Sequence, residues 1–182
     1  NAVFKNLVQY IEGDPRFTGL RRKHRDLVEV WVRKEHRNLS RLARWGLNVP
    51  MPRGVHKNVL VMDYLGTASA PSPKLREVSV DDPQSVYDDL LQFLAVSWQK
   101  GKLVHGDFSP YNILWHDGRA CVIDVGQGVV DSHPKAQEFL VRDVTRLVEW
   151  GQKNGLDVVL ADAMYDVLNM DLSDVEQVDL PE

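Results

Sequence analysis

Apolar residues recur along this chain with two periods, and the switches between them mark its elements. Phe4, Leu7, Val8 and Ile11 fall on one side of a helix over residues 1–12, which Gly13-Asp14-Pro15 ends. Residues 16–25 carry few apolar anchors and many basic side chains, and read as a mobile loop whose one side-chain hydroxyl is Thr18. Helical spacing resumes over residues 26–45 with Leu27, Val28, Trp31, Val32, Leu39 and Leu42, capped by Asp26 and stopped by Gly46. Residues 49–55 and 58–64 read as a hairpin around His56-Lys57. Pro50 and Pro52 confine its first strand to an edge, and the second, almost wholly apolar through Met62, is expected to be central. A Pro/Ser/Ala linker over residues 68–73 divides the chain into a unit over 1–65 and another over 66–182.

Three more helices follow by the same reasoning. Residues 83–101 bury Val86, Leu90, Leu91, Phe93, Leu94 and Trp98. A helix starting at Pro134 buries Ala136, Phe139, Leu140, Val144, Leu147 and Val148, and ends at Gly155. Residues 157–169 bury Val158, Leu160, Ala161, Met164 and Leu168. The acidic tail over 171–182 is expected to be loosely held.

At 182 residues with 43% hydrophobic positions, the chain can build one substantial core. No apolar run approaches the roughly 20 residues of a membrane span, and no signal peptide is visible, so a cytoplasmic location is expected. The single Cys121 excludes an internal disulfide and a cysteine-rich metal site, and in an apolar strand it reads as a small filler. Charge is uneven: residues 1–60 carry 13 basic and 5 acidic side chains, a net of +8, against −12 for the remainder. A basic half suits phosphate or nucleic acid, or equally the coat of a solvated helix.

The chemistry concentrates between Leu103 and Val125. Asp117-Gly118 separates two apolar runs, 113–116 and 120–125, and signals a hairpin because both residues tolerate positive φ. The hairpin brings Asp124, at the end of its second strand, back towards Asn112, five residues after Asp107. A carboxylate and an amide oxygen at strand ends are hard ligands suited to Mg²⁺ carrying phosphates, and Asp107 is left to handle a hydroxyl. Each residue alone has an ordinary alternative: Asp107 and Asn112 as turn-shaping polar groups, Asp124 as a strand end. Jointly, His105-x-Asp107 and Asn112 followed by a strand ending in Asp match the template of protein kinases. Gly106 stands where those enzymes carry Arg, Val125 follows Asp124 where they carry Phe, and no Ala-Pro-Glu follows.

Other side chains fit around this site. Glu35 lies within the apolar stripe of its helix, where it either pairs with a phosphate-binding Lys or sits at the stripe edge with a surface cation. Ser109 is placed near a γ-phosphate. His105 reads as a backbone-bonding residue and His133 as a cap. Asp143 either braces the catalytic loop through backbone amides or pairs with Arg142 or Arg146.

The chain resembles the RIO family of atypical serine/threonine protein kinases, in its archaeal type-1 branch. The resemblance rests on Glu12 to Phe17, Trp31 to Leu42, Val59 to Gly66 with Pro71-Ser72-Pro73, Leu103 to Asn112, Ile123 to Gln127, and His133 to Ala136 with Arg142 to Val144. It implies an α+β, bilobal, protein-kinase-like fold that binds ATP and Mg²⁺ or Mn²⁺. Asp107 would be the catalytic aspartate, and Asn112 and Asp124 the metal ligands, Asp124 also able to take phosphate as an acyl-phosphate. Glu35 would be the helix glutamate. Met62 would gate an adenine pocket that Asp63 and Leu65 complete through backbone groups. The resemblance also implies a protein substrate or autophosphorylation, and work on the maturing small ribosomal subunit and its rRNA. The family's flexible loop, typically phosphorylated on Ser, carries only Thr18 here. The Gly-rich loop and strand Lys that would precede Asn1 are absent from these residues, so weak ATP turnover is expected of them alone. Two other readings remain: a phosphotransferase acting on small alcohols, as in the aminoglycoside and choline kinases, and a non-catalytic scaffold on a ribosome precursor.

Overall fold

A computed structural model describes residues 24–180. The expected helix over 1–12 and the loop residues up to 23, Thr18 included, lie outside the described residues. Helix α1 spans His24–Arg44, so Asp26 is interior to the helix and is not its cap. Gly46, at φ +70°, ends it with its amide donating to the Ala43 carbonyl at 2.9 Å. Strands β1 (Pro52–His56) and β2 (Val59–Met62) pair antiparallel beside α1, the turn falling at Lys57-Asn58.

Helix α2 (Pro83–Gln99) begins at Asp82, whose carboxylate accepts from the Ser85 amide at 3.0 Å. Strand β3 (Leu103–Val104) pairs with β6 (Val129–Val130), and β4 (Ile113–His116) with β5 (Arg119–Val122). Asp117 and Gly118 both take positive φ between β4 and β5, as the Asp-Gly pair predicts. Helices α3 (Ala136–Lys153) and α4 (Leu160–Asn169) pack on α2 and complete the core. Leu39, Leu94, Phe108, Phe139 and Leu147 belong to one continuous cluster that joins α1 to the later helices.

Four further expectations need correction. Strand β2 is not central: Val59, Val61 and Met62 are exposed, because β1 and β2 form a two-stranded sheet among the described residues. An all-apolar run does not by itself say which side is covered. Helix α3 begins at Ala136, Pro134 lying in the preceding turn, although its expected core face is buried. Helix α4 begins at Leu160 and turns Ala163 and Val167 inward, leaving Ala161 and Leu168 exposed. The tail is anchored through residue 180: Leu172 is buried, and the Val178 amide donates to the Arg44 carbonyl at 2.7 Å.

Burial contrasts yield a direct stability test. Leu94→Ala should cost about 3 kcal/mol in urea unfolding through lost transfer energy and a cavity. Val61→Ala, on the exposed face of β2, should stay within about 0.5 kcal/mol of the parent.

Candidate active site

The loop after β3 is held from beneath by α3. Asp143, fully buried in mid-helix, accepts the Gly106 amide on Oδ2 at 2.8 Å and the Phe108 amide on Oδ1 at 3.0 Å. Of its two readings, the brace is the one observed. Burial pushes its carboxyl above the usual range, against the opposing influence of His105, the two amides and Arg142. Arg142 donates to the Gly106 carbonyl from the same helix. Gly106 sits at φ +82°, a conformation that Arg would adopt only under strain, which accounts for glycine at this position.

His105 closes the loop from the other side. Its Nδ1 accepts the Asp107 amide at 3.2 Å, so Nε2 carries the proton and donates to the Ile123 carbonyl at 3.0 Å. Phe108 packs edge-on to His105 and against Phe93. Asp107 is thereby presented at the surface between two anchored neighbours.

Asn112 meets Asp107 directly. Its Nδ2 donates to the Asp107 carboxylate at 3.0 Å and to the Asp107 carbonyl at 2.9 Å. That leaves its side-chain oxygen as the atom able to face a cation. The Asn112 backbone carbonyl accepts the Ile123 amide at 2.9 Å, which brings the residue before Asp124 alongside Asn112. Asp124 does not end β5, which stops at Val122. It stands in the left-handed region at φ +58° and leads into a 3₁₀ turn over Val125–Gln127. Ser109, half-buried, gives its carbonyl to the Asn112 amide at 2.8 Å.

Two residues that the sequence did not single out fix this turn to α1. Lys34, with no exposed surface, donates to the Gly126 carbonyl at 2.9 Å and stands over the Trp31 ring. Asn38, also fully buried, donates to the Val125 carbonyl at 2.8 Å and the Gly128 carbonyl at 3.1 Å. Gly126 is required by this approach, since a Cβ there would lie 2.7 Å from the Trp31 Nε1. Their signal in the sequence was two polar residues four apart, at positions that the helix turns inward.

Glu35, next to Lys34, is half-buried and, among the described residues, has no cation partner. Burial, with the Asp124 charge adding to it, pushes its carboxyl up to about 7. Asp63 follows β2, and its carboxylate holds Arg53 of β1 in two hydrogen bonds, at 2.6 and 2.9 Å. That pairing keeps the Asp63 carboxyl below its ordinary value. The Asp63 amide donates to the Met51 carbonyl at 2.9 Å, and the Leu65 carbonyl accepts the Ser72 amide at 3.0 Å. This run from Met62 to Leu65 is therefore fixed on both sides, and the Met62 side chain is exposed.

A family model described as RIO domain matches residues 1–164. The chain belongs to the RIO family. It is 40% identical over 168 residues to the RIO-type serine/threonine-protein kinase Rio1 of Haloferax volcanii, covering 92% of this chain and 57% of that protein. The Rio1 protein of Thermoplasma acidophilum is also 40% identical, over 85% of this chain and 81% of its own length. This RIO chain thus spans a little over half of the Haloferax protein. Among solved structures, the Rio2 kinase from Chaetomium thermophilum aligns with a TM-score of 0.60 at 26% identity, over 79% of this chain and 47% of that one. Its ADP/Mg²⁺-phosphoaspartate complex aligns with a TM-score of 0.59 at 25% identity, over 79% and 46%. The mixed helix-and-strand architecture is the α+β, kinase-like RIO fold.

The Glu35 environment makes stability depend on pH. In the unfolded chain this carboxyl titrates near 4.5, so from there to about pH 7 the folded state holds the extra proton and loses stability as pH rises. For these 182 residues, Glu35→Gln should raise stability at pH 8 by roughly 1–2 kcal/mol, allowing for solvent screening, and leave it unchanged near pH 4. Urea midpoints at the two pH values read the difference.

Proposed function

We propose that this chain carries the phosphoryl-transfer site of an ATP- and Mg²⁺-dependent serine/threonine protein kinase and ATPase, with Mn²⁺ able to replace Mg²⁺. The observation that supports the reading is the Asp107–Asn112 hydrogen bond, on a loop that Asp143 of α3 braces and whose Asn112 carbonyl takes the amide of Ile123, the residue before Asp124. In this proposal residues 1–65 belong to a smaller lobe and residues 66–182 to a larger one.

The donor set fits a hard cation. Asn112 offers an amide oxygen and Asp124 a carboxylate. Among the described residues no cage of three His, Cys, Asp or Glu side chains is present, so water and phosphate oxygens would complete the shell, as Mg²⁺ prefers. When bound, the metal supplies charge neutralisation on the phosphates. Asp107, fixed by the Asn112 amide, accepts the proton of the attacking hydroxyl and orients its oxygen. Ser109 lies close to the γ-phosphate. Glu35 holds the cation of a phosphate-binding Lys. Met62 borders the adenine, and the Asp63 carbonyl and Leu65 amide hydrogen-bond it.

Asp124 has a second role in the proposal. Its carboxylate attacks the γ-phosphorus as the bond to the ADP oxygen breaks, and water later cleaves the acyl-phosphate. The phosphoaspartate complex of the Rio2 relative supports this step. Phosphotransfer to protein, itself included, is favoured over transfer to small alcohols by the relatives' description as serine/threonine-protein kinases. The basic balance of residues 1–60 suits an rRNA-rich partner, a maturing small ribosomal subunit in the cytoplasm. No helix among the described residues is long and apolar enough to cross a membrane.

The test uses the protein at its natural length with radiolabelled ATP and Mg²⁺. Asp107→Asn should lower phosphotransfer to protein at least 100-fold, and Asp124→Asn should abolish any hydroxylamine-labile label. Unchanged turnover in Asp107→Asn would contradict the assignment, and transfer to small alcohols alone would favour the other class of phosphotransferase.

A further inference from the structure

The face of α1 turned away from Glu35 is a basic wall. Arg37, Arg41 and Arg44, four and three residues apart, share one side of the helix. Arg41 donates to the Gly101 carbonyl at 3.2 Å and reaches the Lys102 carbonyl at 3.5 Å, which docks the helix against the turn after α2. Lys100 and Lys102 stand on that turn. Lys102 is held at φ +52°, and its carbonyl accepts the Asp131 amide at 3.1 Å. The five cations are therefore displayed from two braced backbones rather than scattered over mobile segments.

Between these backbones runs an open groove of about 570 Å³. The five basic side chains and Trp45 make up most of its lining, and no carboxylate lines it among the described residues. Lys100 lies over the Trp45 ring at 5.9 Å. The hydrogen bonds from Ser173, helped by nearby Lys100, hold the Asp171 carboxyl below its usual value, and the basic lining as a whole attracts a chain of evenly spaced anions. The protein already lays an anionic segment at the rim. Residues 171–180 carry Asp171, Asp174, Glu176 and Asp179 with no basic residue, and Val178 is bonded to the Arg44 carbonyl.

We propose that this groove binds the phosphate backbone of a single-stranded polynucleotide, with the Trp45 indole as a wall for a base. A basic groove beside an aromatic ring is the arrangement that single strands use. The groove lies on the side of α1 opposite Glu35; the proposal rests on the reading that the partner is rich in rRNA and is independent of the phosphotransfer chemistry.

Fluorescence anisotropy of labelled 12-mer oligo-U and oligo-dT, with the protein at its natural length, tests this between 50 and 200 mM KCl. Engagement of three or four phosphates predicts a log–log salt slope of about −2 to −3. The double variant Arg37→Glu/Lys102→Glu should bind at least tenfold more weakly with a shallower slope. Arg37→Gln/Lys102→Gln, which removes charge without reversing it, should weaken binding in the same direction. Equal binding of the two oligonucleotides would assign recognition to the backbone, and preference for oligo-U would add contact with the 2′-hydroxyl. Either supports the proposal. Binding unaffected by both double variants overturns it, as does a poly-glutamate peptide that binds while neither oligonucleotide does.

Discussion

The rest of the site hangs on one buried carboxylate. Asp143 has no contact with water, yet it accepts two backbone amides from a loop 35 and 37 residues earlier in the chain. Burying a charge is costly unless it is paired and hydrogen-bonded. Here the two amides and Arg142 supply the compensation. The loop pays in the same way, since without Asp143 the Gly106 and Phe108 amides would be buried without partners. Helix α3, itself fixed by Phe139, Leu140, Val144 and Leu147 in the core, thereby sets the position of Asp107.

A second connection works in parallel from α1. Lys34 and Asn38 hold three carbonyls of the turn that follows Asp124, which ties the helix to the candidate metal ligand. The same helix presents Glu35 towards Asp124 and its arginines to the opposite side. The two proposed functions, of opposite electrostatic character, would therefore share one helix. The inner face gathers carboxylates that call for cations, and the outer face gathers cations that call for phosphates.

How far the sequence revealed this depends on which physical signal each element left. The β4–β5 hairpin was readable because Asp117-Gly118 meets a backbone requirement that few residue pairs satisfy. Helix α3 was readable because its apolar residues mark one face. Strand β2 was misjudged because Val59 to Met62 is apolar on both faces, and composition does not say what covers it. The α4 register failed for a related reason: Ala161 and Ala163 carry nearly equal weight, and only packing against α2 separates them. The spacing of Asp107 and Asn112 was enough to pair them, and the structure joins the two by a hydrogen bond. The left-handed backbone at Asp124 and the buried Lys34 did not show, because an Asp tolerates many conformations and a Lys is ordinarily assigned to solvent.

The central claim is that Asp143 locally braces the loop carrying Asp107, and amide hydrogen exchange in Asp143→Asn tests it most directly. A hydrogen bond to a charged acceptor contributes about 1.5–3 kcal/mol, so the account predicts exchange at Gly106 and Phe108 roughly ten- to a hundredfold faster than in the parent, beyond any change at the core amides of α2. Exchange at those two positions that is unchanged, or accelerated only as much as the α2 amides, would contradict it.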